Sequence, residues 1–223
     1  MGRIAPPACP TAYVVNGCLQ VRGASAGEPL ALRLRYGAPT VLEVDIGNNN
    51  SADYSFDHGQ FHCIVIHAGG GDDLVWIDET NGVFTDTHAT TIFGGSGNDT
   101  LLGGSGSERF DGGPGDDTLL GSNGADVLLG GDNNDFVDGQ QGNDVAFLGA
   151  GDDTFQWDPG DGSDTVEGQA GTDKLLFNGS GGNEIFNLSA NGTRLRLTRD
   201  LGNIVMDLDD VARADLQALG GHG

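Results

Sequence analysis

The sequence predicts an all-β solenoid, in which short units of turn and strand stack on one another. Three observations predict it: a nine-residue repeat, one apolar residue at a fixed place in each repeat, and 40 glycines among 223 residues. The repeat runs unbroken through seven units, from residue 94 to residue 156. One unit cannot bury its apolar residue alone, so stacked units must share a continuous core.

The first six residues of each unit predict a tight turn, because most of them are Gly, Asn, Asp or Ser. Gly adopts the positive φ angles that such a turn needs, and Asn tolerates them best among the other residues. Asn133 fits this pattern, since it stands at the fourth position, where the other units have Gly. The sixth position always holds an acid: Asp99, Glu108, Asp117, Asp126, Asp135, Asp144 and Asp153.

The last three residues of each unit predict a short strand with an apolar residue in its middle. Side chains alternate across a strand, so the middle one points inward while its neighbours, such as Leu120, point outward. The residues expected in the core are therefore Leu101, Phe110, Leu119, Leu128, Val137, Ala146 and Phe155.

These units resemble the G-G-x-G-x-D-x-U-x nonapeptide of the RTX (repeats-in-toxin, hemolysin-type) calcium-binding proteins. The resemblance implies a right-handed parallel β-roll, a β-solenoid in which two units make one turn and each unit stacks on the next but one. It implies two edges of stacked acids. One edge holds Asp99, Asp117, Asp135 and Asp153, and the other holds Glu108, Asp126 and Asp144.

Carboxylates stacked at the strand spacing of about 4.8 Å repel one another unless a cation lies between them. Ca²⁺ takes 6–8 oxygen ligands, including backbone carbonyls, which Gly-rich turns leave unobstructed. We therefore expect roughly four to seven bound Ca²⁺ ions. The expected ligands are Asp73, Gly94, Asp99, Gly103, Glu108, Gly112, Asp117, Gly121, Asp126, Gly130, Asp135, Gly139, Asp144, Asp153, Asp164 and Asp173. A flexible acidic linker is the competing interpretation, but it does not explain an apolar residue two places after each acid.

Less regular copies of the repeat flank the main array. Ala68–Trp76 is an outlying unit, and Ile77–Phe93 has nearly the length of one degenerate 18-residue coil. After Gln156 the register slips by two residues, which predicts a bulge or a widened turn, and two further units follow with Asp164 and Asp173 as their acids. The calcium-binding roll is thus predicted over residues 68–177.

The two ends predict antiparallel β-strands that flank the roll. Residues 1–67 predict an N-terminal cap with strands at Ala12–Val15 and Cys18–Arg22 and a hairpin over residues 30–46. Residues 178–223 predict a β-meander that continues or caps the roll, with a helix or a last strand at Val211–Leu219. Residues 220–223 match the first four positions of another unit, from which a longer polypeptide is expected.

Two stretches before the roll have metal-like spacings. Asp45–Asp53 resembles a calcium loop, but Gly47 and Asn50 depart from its pattern, which favours a polar turn. His58, His62, Cys63 and His67 suggest a transition-metal site. On a strand, however, His62 points away from the face that Cys63 and His67 share, so surface or cap histidines are the favoured interpretation.

Composition restricts the possible partners. The net charge of −23 destabilises a compact state unless counter-ions bind, and it argues against nucleic acid and anionic lipid. No apolar run of 18 residues occurs, so membrane insertion is not expected. In an oxidising compartment Cys9 and Cys18 could close a small loop, and the odd number of cysteines leaves at least one thiol free or paired between chains.

No catalytic motif accompanies the repeats, so we expect a protein that is not an enzyme. His58 and His62 have the spacing of a zinc-protease motif, but Gly59 stands where the glutamate belongs, and no Gly-x-Ser-x-Gly elbow occurs. The resemblance implies a secreted bacterial module that leaves the cell by type I export and folds on extracellular Ca²⁺. The alternative is an extracellular filament or adhesive protein that self-associates through its solenoid ends.

Overall fold

Two β-sheets face each other across one apolar core, and each coil of the chain contributes one strand to each sheet. The computed structural model describes residues 10–217. Sheet A contains, in chain order, β1 (Thr11–Val15), β2 (Cys18–Arg22), β6 (Cys63–Gly70), β8 (Ala89–Ser96), β10 (Glu108–Pro114), β12 (Val127–Asp132), β14 (Val145–Ala150), β16 (Thr165–Ala170), β18 (Phe186–Asn191), β19 (Arg194–Arg199) and β20 (Ile204–Asp209).

Sheet B holds the strands that alternate with these along the chain. They are β3 (Pro29–Arg35), β4 (Ala38–Ile46), β5 (Tyr54–Asp57), β7 (Leu74–Asp78), β9 (Thr100–Leu102), β11 (Thr118–Leu120), β13 (Phe136–Asp138), β15 (Thr154–Trp157), β17 (Lys174–Asn178) and β21 (Arg213–Gln217). Two short 3₁₀ turns lie at His58–Gln60 and Leu201–Asn203. The C-terminal segment that sequence left open between helix and strand is thus the strand β21.

Parallel pairing stacks each repeat on the next but one, as predicted. Phe110 pairs with Leu128, and Leu128 with Ala146, along sheet A. Leu119 pairs with Leu101 and Val137 along sheet B. All seven inward residues of the array are buried and belong to one core that spans the described chain.

Antiparallel strands flank this stack at both ends. β1 pairs with β2, β4 and β5 extend sheet B beyond β3, and β19 and β18 extend sheet A beyond β20. The predicted fold class, an all-β parallel β-roll with flanking antiparallel strands, is confirmed. Parallel pairing also reaches past residues 68–177, because β2 and β3 pair in parallel with β6 and β7, and β20 and β21 with β16 and β17.

The register slip after Gln156 produces a widened turn. Equivalent residues of stacked coils lie 18 positions apart in the array, but Asp144 is 20 positions from its partner Asp164. Trp157 fills the core beside this turn and stacks on Phe177, with ring centroids 4.0 Å apart. The guanidinium of Arg199 lies over the Trp157 ring, 5.2 Å from the ring centroid, and forms an ion pair with Glu184.

The cysteine pairing differs from the Cys9–Cys18 loop considered above. Cys18 forms a disulfide with Cys63, which lies opposite it in the parallel pair of β2 and β6, with 4.6 Å between the Cα atoms. The two cysteines are 45 positions apart in the sequence, so their proximity becomes evident only when the strands are paired. Cys9 and residues 220–223 lie outside the described residues.

Truncation of Leu119 to Ala should lower the free energy of unfolding of the calcium-loaded protein by roughly 2–5 kcal/mol, because the side chain is fully buried between neighbouring coils. Leu120→Ala is the matched control, since Leu120 is only half-buried on the opposite face of the same strand, and it should cost much less. Urea denaturation at fixed calcium measures both. Equal losses would show that the inward assignment is wrong.

Candidate metal centre

The acids of the sixth position form two stacks, one along each edge where the chain crosses between the sheets. In each stack the Oδ1 atom of one acid accepts the backbone N–H of the acid one coil earlier. Asp99 donates in this way to Asp117 (2.7 Å), and Asp117 to Asp135 (2.8 Å). On the second edge Asp126 donates to Asp144 (2.8 Å). One carboxylate oxygen of each such acid therefore holds two coils together.

For most of these acids the other carboxylate oxygen is buried and has no hydrogen-bond partner within residues 10–217. This applies to Oδ2 of Asp73, Asp99, Asp117, Asp126, Asp135, Asp144, Asp153 and Asp173 and to Oε1 of Glu108. A buried polar atom left without a partner costs about 1–3 kcal/mol, more when it is charged, and such atoms are rare in folded proteins. A regular series of them in one register indicates a common missing partner.

In six of the units, the Oδ2 atom of the acid faces a small space beside the first glycine of the unit. A Cβ atom on Gly94 would lie 2.5 Å from Asp99 Oδ2 and 2.8 Å from the carbonyl oxygen of Gly112, one coil further on. A Cβ atom on Gly121 would lie 2.5 Å from Asp126 Oδ2 and 2.6 Å from the Gly139 oxygen. Carboxylate and carbonyl oxygens thus converge where no side chain fits, and this donor set suits Ca²⁺.

The second position of the turn shows why the coils stack so closely. Gly113 has φ +108°, and a Cβ atom there would collide with the carbonyl oxygen of Gly95 in the preceding coil. Glycine therefore allows both the backbone conformation and the approach. Asn133 has φ +81° at the fourth position, as the sequence predicted.

The unpaired carboxylates are poor anions in this environment. Burial, followed by the charges of the neighbouring Glu108 and Asp144, raises the pKa of Asp126 to about 8. Burial and then the charges of Asp117 and Asp153 raise the pKa of Asp135 to about 8. The charged form therefore requires compensation by a cation.

The beginning of the second edge departs from the regular pattern. Glu108 Oε2 accepts the N–H of Gly104 in its own turn (3.2 Å), and this turn also contacts Glu79. Glu79 accepts N–H groups from Phe84 (2.8 Å) and Ser105 (2.9 Å). Burial would raise the pKa of Glu79, but these hydrogen bonds lower it overall. Glu79 was not anticipated from sequence, because it lies in the degenerate coil.

Sequence reasoning also missed a turn at the beginning of the first edge. Glu28 donates its backbone N–H to Asp73 Oδ1 (2.7 Å), as the acids of the array do. A Cβ atom on Gly23 would contact the carbonyl oxygen of Ala68 and lie 3.0 Å from Glu28 Oε1. A carbonyl and a carboxylate thus meet here as at Gly94, but Glu28 Oε1 also accepts the N–H of Ala24. The only sequence signal was an acid five places after Gly23, followed two places later by the apolar Leu30.

The first edge ends at Asp173. A Cβ atom on Gly168 would lie 2.7 Å from Asp173 Oδ2 and would contact the carbonyl oxygen of Asp210. Asp210 precedes β21, whose turn is too short to carry another acid at the sixth position. The structure therefore places all ten predicted acids in two stacks, and it places the six predicted glycines, Gly94, Gly103, Gly112, Gly121, Gly130 and Gly139, at the first position beside them.

The other metal-like stretches have different contacts. Asp45 pairs with Arg33 (3.1 Å) and accepts the Asn49 N–H (3.1 Å), and Asp53 accepts the Ile46 N–H. Residues 45–53 therefore form a polar turn.

The histidines that suggested a transition-metal site do not converge. His67 stacks on Phe93, with 4.8 Å between the ring centroids. His62 lies near Cys18 and Cys63, whose sulfur atoms bond each other.

Comparison with known proteins agrees with this geometry. The family model of the RTX calcium-binding nonapeptide repeat, in 4 copies, matches residues 84–119, 120–155 and 160–185. The stacked turns define a β-roll built from repeats. The match identifies these residues as RTX-type repeats, and it supports a calcium-binding structural module in the part of the chain that they cover.

Two further comparisons add little. A search of curated proteins found no match. Among solved structures, the chain is similar to the AlgE6R3 subunit of the Azotobacter vinelandii mannuronan C5-epimerase, with 27% identity over 56% of this chain and 72% of that one. The TM-score is 0.28, so nothing about the present chain is inferred from this similarity. The fold is established by the strand pairing described above.

Proposed function

We propose that this protein is a secreted, non-catalytic module whose β-roll folds when its stacked acids bind Ca²⁺ outside the cell. The observation that carries the proposal is the series of buried, unpartnered carboxylate oxygens within residues 10–217, several of which face a backbone carbonyl of the next coil. Ca²⁺, when bound, supplies the positive charge and the oxygen coordination that these atoms lack.

The two oxygens of these carboxylates have different roles. Oδ1 accepts an N–H group from the preceding coil and fixes the spacing of the turns, whereas Oδ2 remains free for the cation. An ion in this space would touch the carboxylate of one coil and the carbonyl of the next. Binding would therefore join successive coils, and folding and calcium binding would be one process.

We propose that residues 68–177 form the calcium-binding roll, with caps in residues 1–67 and 178–223. Glu28 and Asp210 supply the same kinds of atoms just outside these limits, so the two caps would also close the first ladder. The proposed calcium ligands are those expected from sequence, together with Glu28.

Secretion is supported by three features. The oxygen atoms of the stacked turns suit Ca²⁺, which extracellular modules bind with a Kd of roughly 10⁻⁴–10⁻³ M, in the range of extracellular calcium. The disulfide between Cys18 and Cys63 is typical of oxidising compartments. An array that stays unfolded at cytosolic calcium would also suit type I export. No helix within residues 10–217 is long and apolar enough to cross a membrane.

The assembly hypothesis receives less support than the module hypothesis. Stacking of one solenoid on another requires parallel coils at the ends, but β1, β5 and β18 are antiparallel strands at three of the four sheet edges. We therefore propose a self-contained module.

Calorimetric titration should yield about four to seven Ca²⁺ ions per chain, with the weakest site at Glu108. Asp126→Asn should remove one or two ions, because its carboxylate faces two coils. Asp132→Asn is the matched control, since Asp132 is exposed at the end of β12, and it should leave the number unchanged. A wild-type protein that binds one ion or none would overturn the proposal.

A further inference from the structure

A second group of acids lies outside the two stacks, on the outer side of the second edge. It lines a groove of about 320 Å³ beside the widened turn. The groove is lined by Ser122, Asn123, Asp138, Gln140, Gln141, Asp158 and Asp161. No lysine, arginine or histidine is among these residues, so nothing in the lining compensates the three carboxylates.

Asp138 is the most unusual member of this group. It occupies the ninth position of its unit, where the two preceding coils of sheet B have Leu102 and Leu120. Its side chain is only 5% exposed. Oδ1 accepts the N–H of Gln140 (2.9 Å), and Oδ2, at the groove, has no hydrogen-bond partner among residues 10–217. Neither the repeat nor the core explains a buried acid here.

The widened turn holds the other two carboxylates in place. Asp158 accepts the side-chain amides of Gln156 (2.6 Å) and Asn178 (2.8 Å), and its own N–H donates to Asp161 Oδ2 (2.5 Å). The indole N–H of Trp157 donates to the carbonyl of Gly162 (2.9 Å) and anchors the turn to the core. These contacts leave Asp161 Oδ1 without a hydrogen-bond partner in the described chain.

The carboxylates oppose one another across the groove. Burial, followed by the charges of Asp161 and Asp158, raises the pKa of Asp138 to about 6. Burial and the charge of Asp158 raise the pKa of Asp161 to about 6. The arrangement is therefore unfavourable at neutral pH without a cation.

We infer that this groove binds one divalent cation of the hard, oxygen-preferring class, with Ca²⁺ as the expected ion, independently of the repeat ladder. Asp138 Oδ2 and Asp161 Oδ1 are the anionic ligands, and the side-chain oxygens of Gln140 and Gln141 are available to complete the shell. The ion would fix the widened turn to the preceding coil, at the place where the two extra residues interrupt the regular stack.

This inference depends on the proposed function only because the roll must be folded. The test is the number of Ca²⁺ ions bound by the full chain in equilibrium dialysis at millimolar calcium. Asp138→Asn/Asp161→Asn should bind one ion fewer than the wild type, with the β-sheet circular dichroism unchanged. The control is Asp132→Asn, which removes an exposed acid at the end of the preceding strand β12, and it should bind the wild-type number of ions.

A second readout is the emission of Tb³⁺ substituted for calcium and excited through Trp157, the aromatic residue that anchors the turn. Emission should fall in the double variant and persist in Asp132→Asn. If the double variant does not fold, Asp161→Asn alone decides, because Asp161 is only half-buried and the variant should still lose the ion. Wild-type stoichiometry and emission in these variants would overturn the inference, whereas a wild type that binds no ions would overturn the proposed function instead.

Discussion

Removal of calcium should convert the array from a folded roll to a largely disordered chain. The core is thin, with about one inward apolar residue in each nine-residue repeat, and folding must order many of the 40 glycines of the chain. Glycine loses more backbone entropy on folding than any other residue. Without a cation the two stacks also bury nine carboxylate oxygens that have no hydrogen-bond partner within residues 10–217, in a chain of net charge −23. The favourable terms are then too small to maintain the fold.

The transition with calcium should be steep. A ligand that binds only the folded state stabilises it by RT ln(1 + [L]/Kd) at each site. Each tenfold rise in calcium therefore adds about 1.4 kcal/mol for each site that can be filled. Far-UV circular dichroism in chelator, followed by addition of calcium, measures the effect. Some signal should persist in chelator, because the disulfide between Cys18 and Cys63 and the hairpin of β3 and β4 do not depend on the ladder.

Magnesium is the control for charge alone. It demands a tighter octahedral shell and holds its water strongly, so it should not replace Ca²⁺ at equal concentration. A full β-sheet signal and an unchanged melting temperature in chelator would contradict calcium-coupled folding. Equal rescue by magnesium would contradict the proposed coordination.

Mild acid should partly replace calcium. Burial raises the pKa values of Asp126, Asp135 and Asp164 in the folded state to about 8, above the ordinary value of 3.8. Because the folded state holds these protons more tightly, the contribution to stability is fully present below about pH 3.8 and is lost as the pH rises through about 8. In chelator the roll should therefore be more folded at pH 5 than at pH 8.

Calcium should show the opposite dependence on pH. Protons and Ca²⁺ compete for the same carboxylates, so calcium affinity should fall as the pH drops from 8 to 5, and binding at pH 7 should release protons. Circular dichroism in chelator at both pH values tests the first part. Calorimetry in buffers of different ionisation enthalpy tests the second. A β-sheet signal in chelator that is independent of pH, or that rises with pH, would contradict the account.

The features that could be predicted from sequence are those set by local periodicity. The inward residues and the stacking of Asp99 on Asp117 depend only on the nine-residue register, and the structure reproduces both. The position of the widened turn followed from a two-residue slip in that register. The structure of a regular repeat can thus be predicted from sequence, because each unit has the same environment as its neighbours.

The features that were missed depend on contacts between distant parts of the chain. The turn of Gly23 and Glu28 lacks the Gly-Gly and Asp of the repeat, so only its pairing with Ala68 and Asp73 reveals it. The partners Cys18 and Cys63 are separated by 45 residues and meet through strand pairing.

Asp138 was missed for a similar reason. In sequence it is an outward ninth residue. Its groove forms only when the widened turn of the next coil folds against it.

The most direct test of the central claim is a crystal structure of the calcium-loaded chain, with the ions located by anomalous scattering. The account predicts a row of ions along each edge, each beside the first residue of a repeat and bound by the free oxygen of its acid and a carbonyl of the next coil. One such ion should lie between Asp99 Oδ2 and the Gly112 oxygen. Ions found only at exposed acids, with these spaces empty at saturating calcium, would contradict it.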